Sequence, residues 1–222
     1  MQASDVMTRD VVTVGPLTQV NEIVELLNKH NISGMPVVDD QNRVIGMISE
    51  GDLLRRVENN TVRRDRSWLA ALFSSEDSAA NYVRTHGRRA ESLMTRDPVT
   101  ITENEPLYRI AQLFEKRRIK RVPVTRDGKL VGLVSRGNLL QGFSSSAQDE
   151  EAATVDDREI RNEILAQFRE LGISDNTTNA VVTDGVVDLW GFVENEVQLR
   201  AARIAASRAR GVKDVRSHLT AK

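Results

Sequence analysis

Two short tetrads in this 222-residue chain carry residue types that could hold a ligand: Ser49-Glu50-Gly51-Asp52 in "GMISEGDLL" and Ser135-Arg136-Gly137-Asn138 in "GLVSRGNLL". Each has a hydroxyl where a β-rich run gives way to a helix, and a carboxylate or amide three residues on. The free N–H groups and dipole of a helix start suit a phosphate. The Asp52 carboxylate has two acceptor oxygens, enough for both hydroxyls of a ribose, whereas the Asn138 amide has one and carries no charge. The same spacing is close to a capping box, in which the two side chains merely hold the helix end. A repeated fold would need such a cap twice, so the repetition does not separate the two roles. Gly46, in the strand before the first tetrad, marks a place where another backbone or a ligand approaches closely.

The tetrads end a longer repeat. "VMTRDVVTV" at 6–14 returns as "LMTRDPVTI" at 93–101, and "MPVVDD" at 35–40 returns as "VPVTRD" at 122–127. Each copy reads as a short β-rich segment, an amphipathic helix, two strands around a turn, and a second helix. Val20, Ile23, Val24 and Leu27 fall at i, i+3, i+4 and i+7, and Leu107, Ile110, Ala111 and Phe114 repeat that spacing, which predicts one buried face per helix. The turns are Asp39-Asp40-Gln41-Asn42 in one copy and the tighter "RDGK" in the other. About 50 residues bury too little to stand alone, so the two sheets are expected to pack face to face. Residues 58–91 join the copies, and "RSWLAALF" within them predicts a helix.

A second polar stretch, "SSSAQDEEAATVDD" at 144–157, marks a flexible boundary. Beyond it Ile160, Ile164, Phe168 and Leu171 share one helical face, stopped at Gly172. "NAVVTDGVVDLWG" predicts two strands closed by Asp184-Gly185. A second helix runs from a cap at Asn195 to a stop at Gly211, and "VKDVRSHL" predicts a last strand. Arg200, Arg203 and Arg210 can share one face of that helix, either as a solvated face or as a contact for an anionic surface. Trp190 is expected in the core or at a domain contact.

Composition narrows the chemistry. The formal net charge is −1, so no field of one sign invites nucleic acid. Basic stretches lack interleaved aromatics, and no nucleic-acid partner is expected. The absence of cysteine excludes thiolate metal sites and nucleophiles, and His30, His86 and His218 are far apart. With neither a metal-ligand cluster, a nucleophile–base pair nor a glycine-rich phosphate loop in the sequence, the expectation is a protein that is not an enzyme. The opening "MQASDVMTRD" has no basic stretch followed by an apolar run, and no run of about 18 apolar residues occurs. A soluble, cytoplasmic protein is expected.

The two copies, over 6–57 and 93–143, resemble a tandem pair of cystathionine β-synthase (CBS) domains through "MTRD", "MPVVD" or "VPV", and "GMISEGDLL" or "GLVSRGNLL". The region from about 154 to 222 resembles a BON domain through Gly185, Gly191, the alanine-rich helix and "GVKDV". The resemblance implies an α+β protein: two pseudo-symmetric βαββα repeats over 1–57 and 92–146 forming one Bateman module, a helical linker over 58–91, and, after a flexible linker at 147–155, a small αββαβ domain over 156–222. It implies up to two clefts for AMP, ADP, ATP or S-adenosylmethionine. It places the ribose on Asp52, phosphate or ribose on Ser49, and the frame of adenine on backbone near Met35-Pro36, with Thr13 and Val14 beside them. Phosphates would meet Lys120 and Arg121, which precede Val122-Pro123, whereas Ser33-Gly34 precede Met35-Pro36. A second, weaker site would combine Thr100, Val122, Pro123, Ser135, Arg136 and Asn138. Lys116 to Arg118, in "KRRIKRVPV", read equally well as a solvated helix end. The resemblance further implies a homodimer, no required cofactor beyond the regulatory nucleotide with any magnesium it carries, and a BON domain facing phospholipid or a protein. The rival reading is a dimerising adaptor whose clefts are vestigial.

Overall fold

The computed structural model describes residues 1–54, 88–146 and 155–222. These form two compact units, Val12–Pro98 and Met1–Val11 with Val99–Lys222. The helix expected over "RSWLAALF" lies outside the described residues.

In the Val12–Pro98 unit, α2 (Val20–His30) stops at Asn31, which adopts a left-handed conformation with φ 50°; α1 (Ala3–Val6) belongs to the other unit. Ile23 and Leu27 are buried, but Val24 is 39% exposed. It lies about 100° round the helix from Ile23, beyond the stripe that the small sheet can cover. Strands β1 (Gly34–Val38) and β2 (Val44–Ser49) pair antiparallel with Gly34 opposite Ser49. The turn between them is held by Asp39 Oδ1, which accepts from the N–H groups of Gln41 and Arg43. Residues 50–54 are helical. A short helix α3 (Ala90–Leu93) and strand β3 (Thr95–Arg96) complete the unit, β3 pairing with β2 at Gly46 and Met47.

The other unit begins with α1 (Ala3–Val6) and repeats the pattern in α4 (Leu107–Arg117), β4 (Arg121–Arg126), β5 (Lys129–Ser135) and α5 (Arg136–Ser146). The β4–β5 turn is Asp127-Gly128 with φ 51° and 76°, the pair of positive values that a two-residue hairpin requires. The segments expected to be β-rich are strand only in fragments. Four-residue helices α1 and α3 open them, followed by the bridge Thr8–Leu133 or by β3, and then by parallel bridges Val14–Val37 and Ile101–Val124. In α1 the turn is closed by Asp5 Oδ2, which accepts from Gln2 N–H at 2.8 Å.

Each "MTRD" methionine lies on the strand glycine of the copy it does not precede. A Cβ on Gly46 would run into Met94 Sδ, and one on Gly132 into Met7 Sδ. Gly46 is therefore kept open for a side chain of the same unit; the expected backbone or ligand is not what approaches. Because overpacking a tight contact costs about 1–3 kcal/mol, Gly132→Val is expected to lower the urea midpoint of the full chain with an unchanged denaturant slope. An unaltered midpoint would show that Met7 can move aside freely.

The remainder of this unit runs α6 (Val155–Glu170), β6 (Thr178–Thr183), β7 (Val186–Val193), α7 (Glu196–Arg208) and β8 (Asp214–Ala221). Strands β6 and β7 are antiparallel, and β8 lies parallel to β7. Ile160, Ile164 and Phe168 are buried, whereas Leu171 is 44% exposed because α6 has already ended at Glu170. The hairpin turn has φ 51° at Asp184 and 77° at Gly185. Asp157, assigned from sequence to the edge of a flexible stretch, is instead buried in α6 and accepts from the N–H groups of Asp184 (3.1 Å) and Gly185 (2.8 Å). Asn195 Oδ1 caps α7 through Val197 N and Gln198 N. Strand alternation gives the sheet two apolar faces. Ala180, Val182, Val187 and Leu189 pack with α6 and α7, while Val181 and Trp190 face a cluster that holds Ala3, Val6 and Leu139.

Candidate functional site

Both tetrads have the same local geometry. Asp52 Oδ2 accepts from Ser49 N–H at 2.9 Å and from Ser49 Oγ at 2.7 Å. Asn138 Oδ1 accepts from Ser135 N–H at 2.8 Å and from Ser135 Oγ at 2.7 Å. Each side chain thus reaches back from the first helical turn to the strand end, which is the capping role. The two differ in burial: Asn138 is 7% exposed, whereas Asp52 is half-buried. A neutral amide makes the contact at the closed position without burying a charge, while a carboxylate is tolerated where water reaches it.

The strands bring further candidate residues beside each tetrad. In one unit, Val14 N–H donates to Pro36 O, Val38 N–H donates to Val14 O, and Glu50 N–H donates to Ser33 O. Thr13, Val14, Met35, Pro36, Ser49 and Asp52 therefore gather around one end of β1. In the other unit, Ile101 N–H donates to Pro123 O, Arg136 N–H donates to Lys120 O at 3.1 Å, and Arg121 stands opposite Ser135. Thr100, Val122, Pro123, Ser135, Arg136 and Asn138 gather there together with Lys120 and Arg121. Met35 and Val122 are fully buried in the cores of their units, so what this region offers a ligand is backbone and the polar ends. Lys120 and Arg136 are exposed. Lys116 and Arg117 lie in the last turn of α4, and Arg118 is its left-handed cap, as a helix end favours.

A groove of about 530 Å³ runs between α7 and β8, lined by Arg200, Arg203, Ile204, Val212 and Lys213 among others. Arg210 does not belong to it. Helix α7 ends at Arg208, so Arg210 lies beyond the helical face it was expected to share, and its N–H donates to Glu163 at 3.3 Å. Lys213 takes the place of the third cation. The basic residue inside "GVKDV", just before the last strand, was the signal for it.

Trp190 stacks on His218 with ring centroids 3.9 Å apart, and His218 Nε2 lies 3.1 Å from Asp188 Oδ1. On the α6 side, Arg161 is 2% exposed. Burial, with Arg9 as a further cause, lowers its guanidinium to about 10, so it stays charged at neutral pH. Burial pushes the Asp175 carboxyl above its ordinary range and Asp10 adds to that rise, while Arg169 and Arg161 oppose it. Among the described residues there is no group of three or more His, Cys, Asp or Glu side chains that could hold a metal ion. Among the same residues no helix is long and apolar enough to cross a membrane.

Comparison with known proteins sorts these features. The CBS domain model matches residues 3–59 and 90–145, and the BON domain model matches 156–222. The chain is 32% identical over 142 residues to the CBS domain-containing protein CBSX1, chloroplastic, of Arabidopsis thaliana, covering 60% of this chain and 58% of that one. It is 30% identical over 151 residues to CBSX2, chloroplastic, of the same plant, covering 64% and 62%. The chain thus spans less than two thirds of the length of these relatives. Among solved structures it is similar to CBSX2 in complex with AMP, at TM-score 0.55 and 28% identity over 68% of this chain and 99% of that one. It also shares the fold of the CBS domain pair of protein MJ0100, at TM-score 0.52 and 23% identity over 66% and 98%.

Proposed function

This chain belongs to the CBS-domain family, with a BON domain behind its two CBS domains, and from that premise we propose that it is a non-catalytic sensor of an adenine nucleotide. In the Val12–Pro98 unit, Ser49 and Asp52 hold a ribose, with backbone beside Thr13, Val14, Met35 and Pro36 framing its base; in the other unit, Lys120 and Arg121 are cations suited to draw a phosphate. The observation that carries this reading is the Ser49–Asp52 contact, which sets a half-buried carboxylate at a helix start, together with the similarity to a protein solved with AMP. AMP is accordingly the first ligand to test, ahead of ADP, ATP and S-adenosylmethionine; a polyphosphate would bring magnesium as its own counter-ion. The set around Asn138 forms a weaker site.

The BON domain passes the nucleotide state to an anionic membrane surface or a protein. The α7–β8 groove supports this role, since it lines apolar Ile204 and Val212 with Arg200, Arg203 and Lys213. We place the protein in the cytoplasm as a homodimer. Leu54 and Leu140, at matched positions of the two repeats, are 60% and 70% exposed and suit a partner copy.

The caps also favour a second reading. In both tetrads the Asp52 or Asn138 side-chain oxygen accepts from its own serine's N–H, a cap that a dimerising adaptor with vestigial clefts would need as well. Isothermal titration of the full chain with the four ligands separates the two. The sensor gives saturable heat with at least one of them, and the adaptor gives none.

A further inference from the structure

The sheet face of the BON domain that carries Val181 and Trp190 is closed by α1 and α5. A buried polar network runs along that closure. Asn179 on β6 donates through Nδ2 to Gln141 Oε1 at 2.7 Å and to Val6 O at 3.2 Å, and its Oδ1 accepts from Arg161 Nη2 at 3.0 Å. Arg161 also donates to Ala180 O, Ser4 O and Met7 O. At the edge, Arg158 Nε pairs with Asp5 Oδ1 at 2.7 Å, and the Asp5 side chain is only 2% exposed.

Helix α5 connects this network to the candidate phosphate residues. It opens at Arg136, whose N–H donates to Lys120 O, and Arg121 stands opposite Ser135 at the end of β5. Asn138 fastens the first turn to Ser135. One turn on, Leu139 is buried in the cluster that includes Val181, and Gln141 meets Asn179.

We infer that the BON domain is an intramolecular partner of the second CBS domain together with the leading segment Met1–Val11, and that ligand held at Lys120 and Arg121 is coupled through α5, Gln141 and Asn179 to the docking of that partner. The inference rests on the nucleotide reading above. A paired buried network is either made or broken, because intermediate arrangements leave desolvated groups without partners. A docked BON domain holds α5 in place, so the ligand has less left to order and the two events favour each other. Coupling of this kind is reciprocal.

The test uses the full chain, AMP as the probe, and Gln141→Ala/Arg158→Ala, which cuts one bond on each side of the closure; Arg158→Ala alone gives a milder step. Hydrogen exchange at Ala180–Val182 reports docking, and calorimetry reports affinity. Saturating AMP is expected to slow exchange there about fivefold or more, and the double variant to bind AMP about fivefold more weakly while exchanging faster. AMP heat with exchange unchanged overturns the coupling, as does faster exchange in the variant at unchanged affinity. No heat in the unaltered chain overturns the nucleotide reading, and the coupling with it.

Discussion

Arg161→Ala is expected to lower the unfolding free energy of the full chain by about 3–5 kcal/mol, since several buried acceptors would lose their donor at about 1–3 kcal/mol each and water can restore only part. The side chain is 2% exposed and serves four oxygens: Ala180 O at 2.7 Å, Met7 O at 2.8 Å, Asn179 Oδ1 at 3.0 Å and Ser4 O at 3.2 Å. Two of these belong to the BON domain and two to the leading segment, so both the domain and its docking weaken. Arg161→Lys should recover less than half of the loss, because an ammonium has three donors and no planar fork. Urea denaturation of the three proteins, compared by midpoint and slope, measures this. A loss below about 1 kcal/mol for the alanine variant would mean that water replaces the guanidinium at little cost, and that the network does not hold the domain.

That residue also shows where the fold was readable from sequence and where it was not. The repeat, the helices and the two-residue turns rest on local rules, namely apolar spacing, positive-φ residues and caps. Among the described residues the repeated helices appear where those rules place them, at Val20–His30 and Leu107–Arg117, and so do the two-residue turns. Arg161 obeys a tertiary rule instead. It stands four before Leu165 and seven before Phe168, on an apolar stripe with buried Asp157 four residues earlier. A charge on such a stripe signals a partner but does not name one. Two of its four partners proved to be carbonyl groups more than 150 positions away. Met7 and Met94 are a similar case: the strand glycine Gly46 was conspicuous in the sequence, but which side chain fills the space above it, or above its counterpart Gly132, depends on which segment crosses to which sheet.

The candidate site was legible in composition and only partly in role. Spacing suggested Ser–Asp and Ser–Asn pairs, and the contacts at 2.7–2.9 Å bear out the capping half of that suggestion in both repeats. Burial could not be read from the tetrads, which differ only in Glu50 against Arg136 and Asp52 against Asn138. The closed setting of Asn138 against the half-open one of Asp52 gives the substitution a cause in solvation that is independent of ligand. The groove cations show the limit of helical-face reasoning: Arg210 was counted on a helix that ends two residues before it.

Because Asp52 caps a helix whatever else it does, its role in binding has to be separated from the cap. A carboxylate that receives ribose hydroxyls contributes charge-assisted hydrogen bonds of about 1.5–3 kcal/mol, so Asp52→Ala is expected to weaken AMP binding at least about tenfold. Asn138→Ala should cost about 1 kcal/mol of stability through its lost cap and change AMP affinity less than about threefold, roughly 0.6 kcal/mol. The deciding variant is Asp52→Asn. An amide keeps the oxygen that accepts from Ser49, as Asn138 does with Ser135 at 2.8 Å and 2.7 Å, but has neither the charge nor the second acceptor. If the carboxylate binds ribose, this variant melts like the unaltered chain and binds AMP nearly as poorly as Asp52→Ala. If it only caps, Asp52→Asn retains both stability and affinity, and Asp52→Ala and Asn138→Ala then show equal losses. Calorimetric titration beside thermal melting reads both quantities on the same samples, and an unchanged affinity in Asp52→Asn removes Asp52 from the binding site.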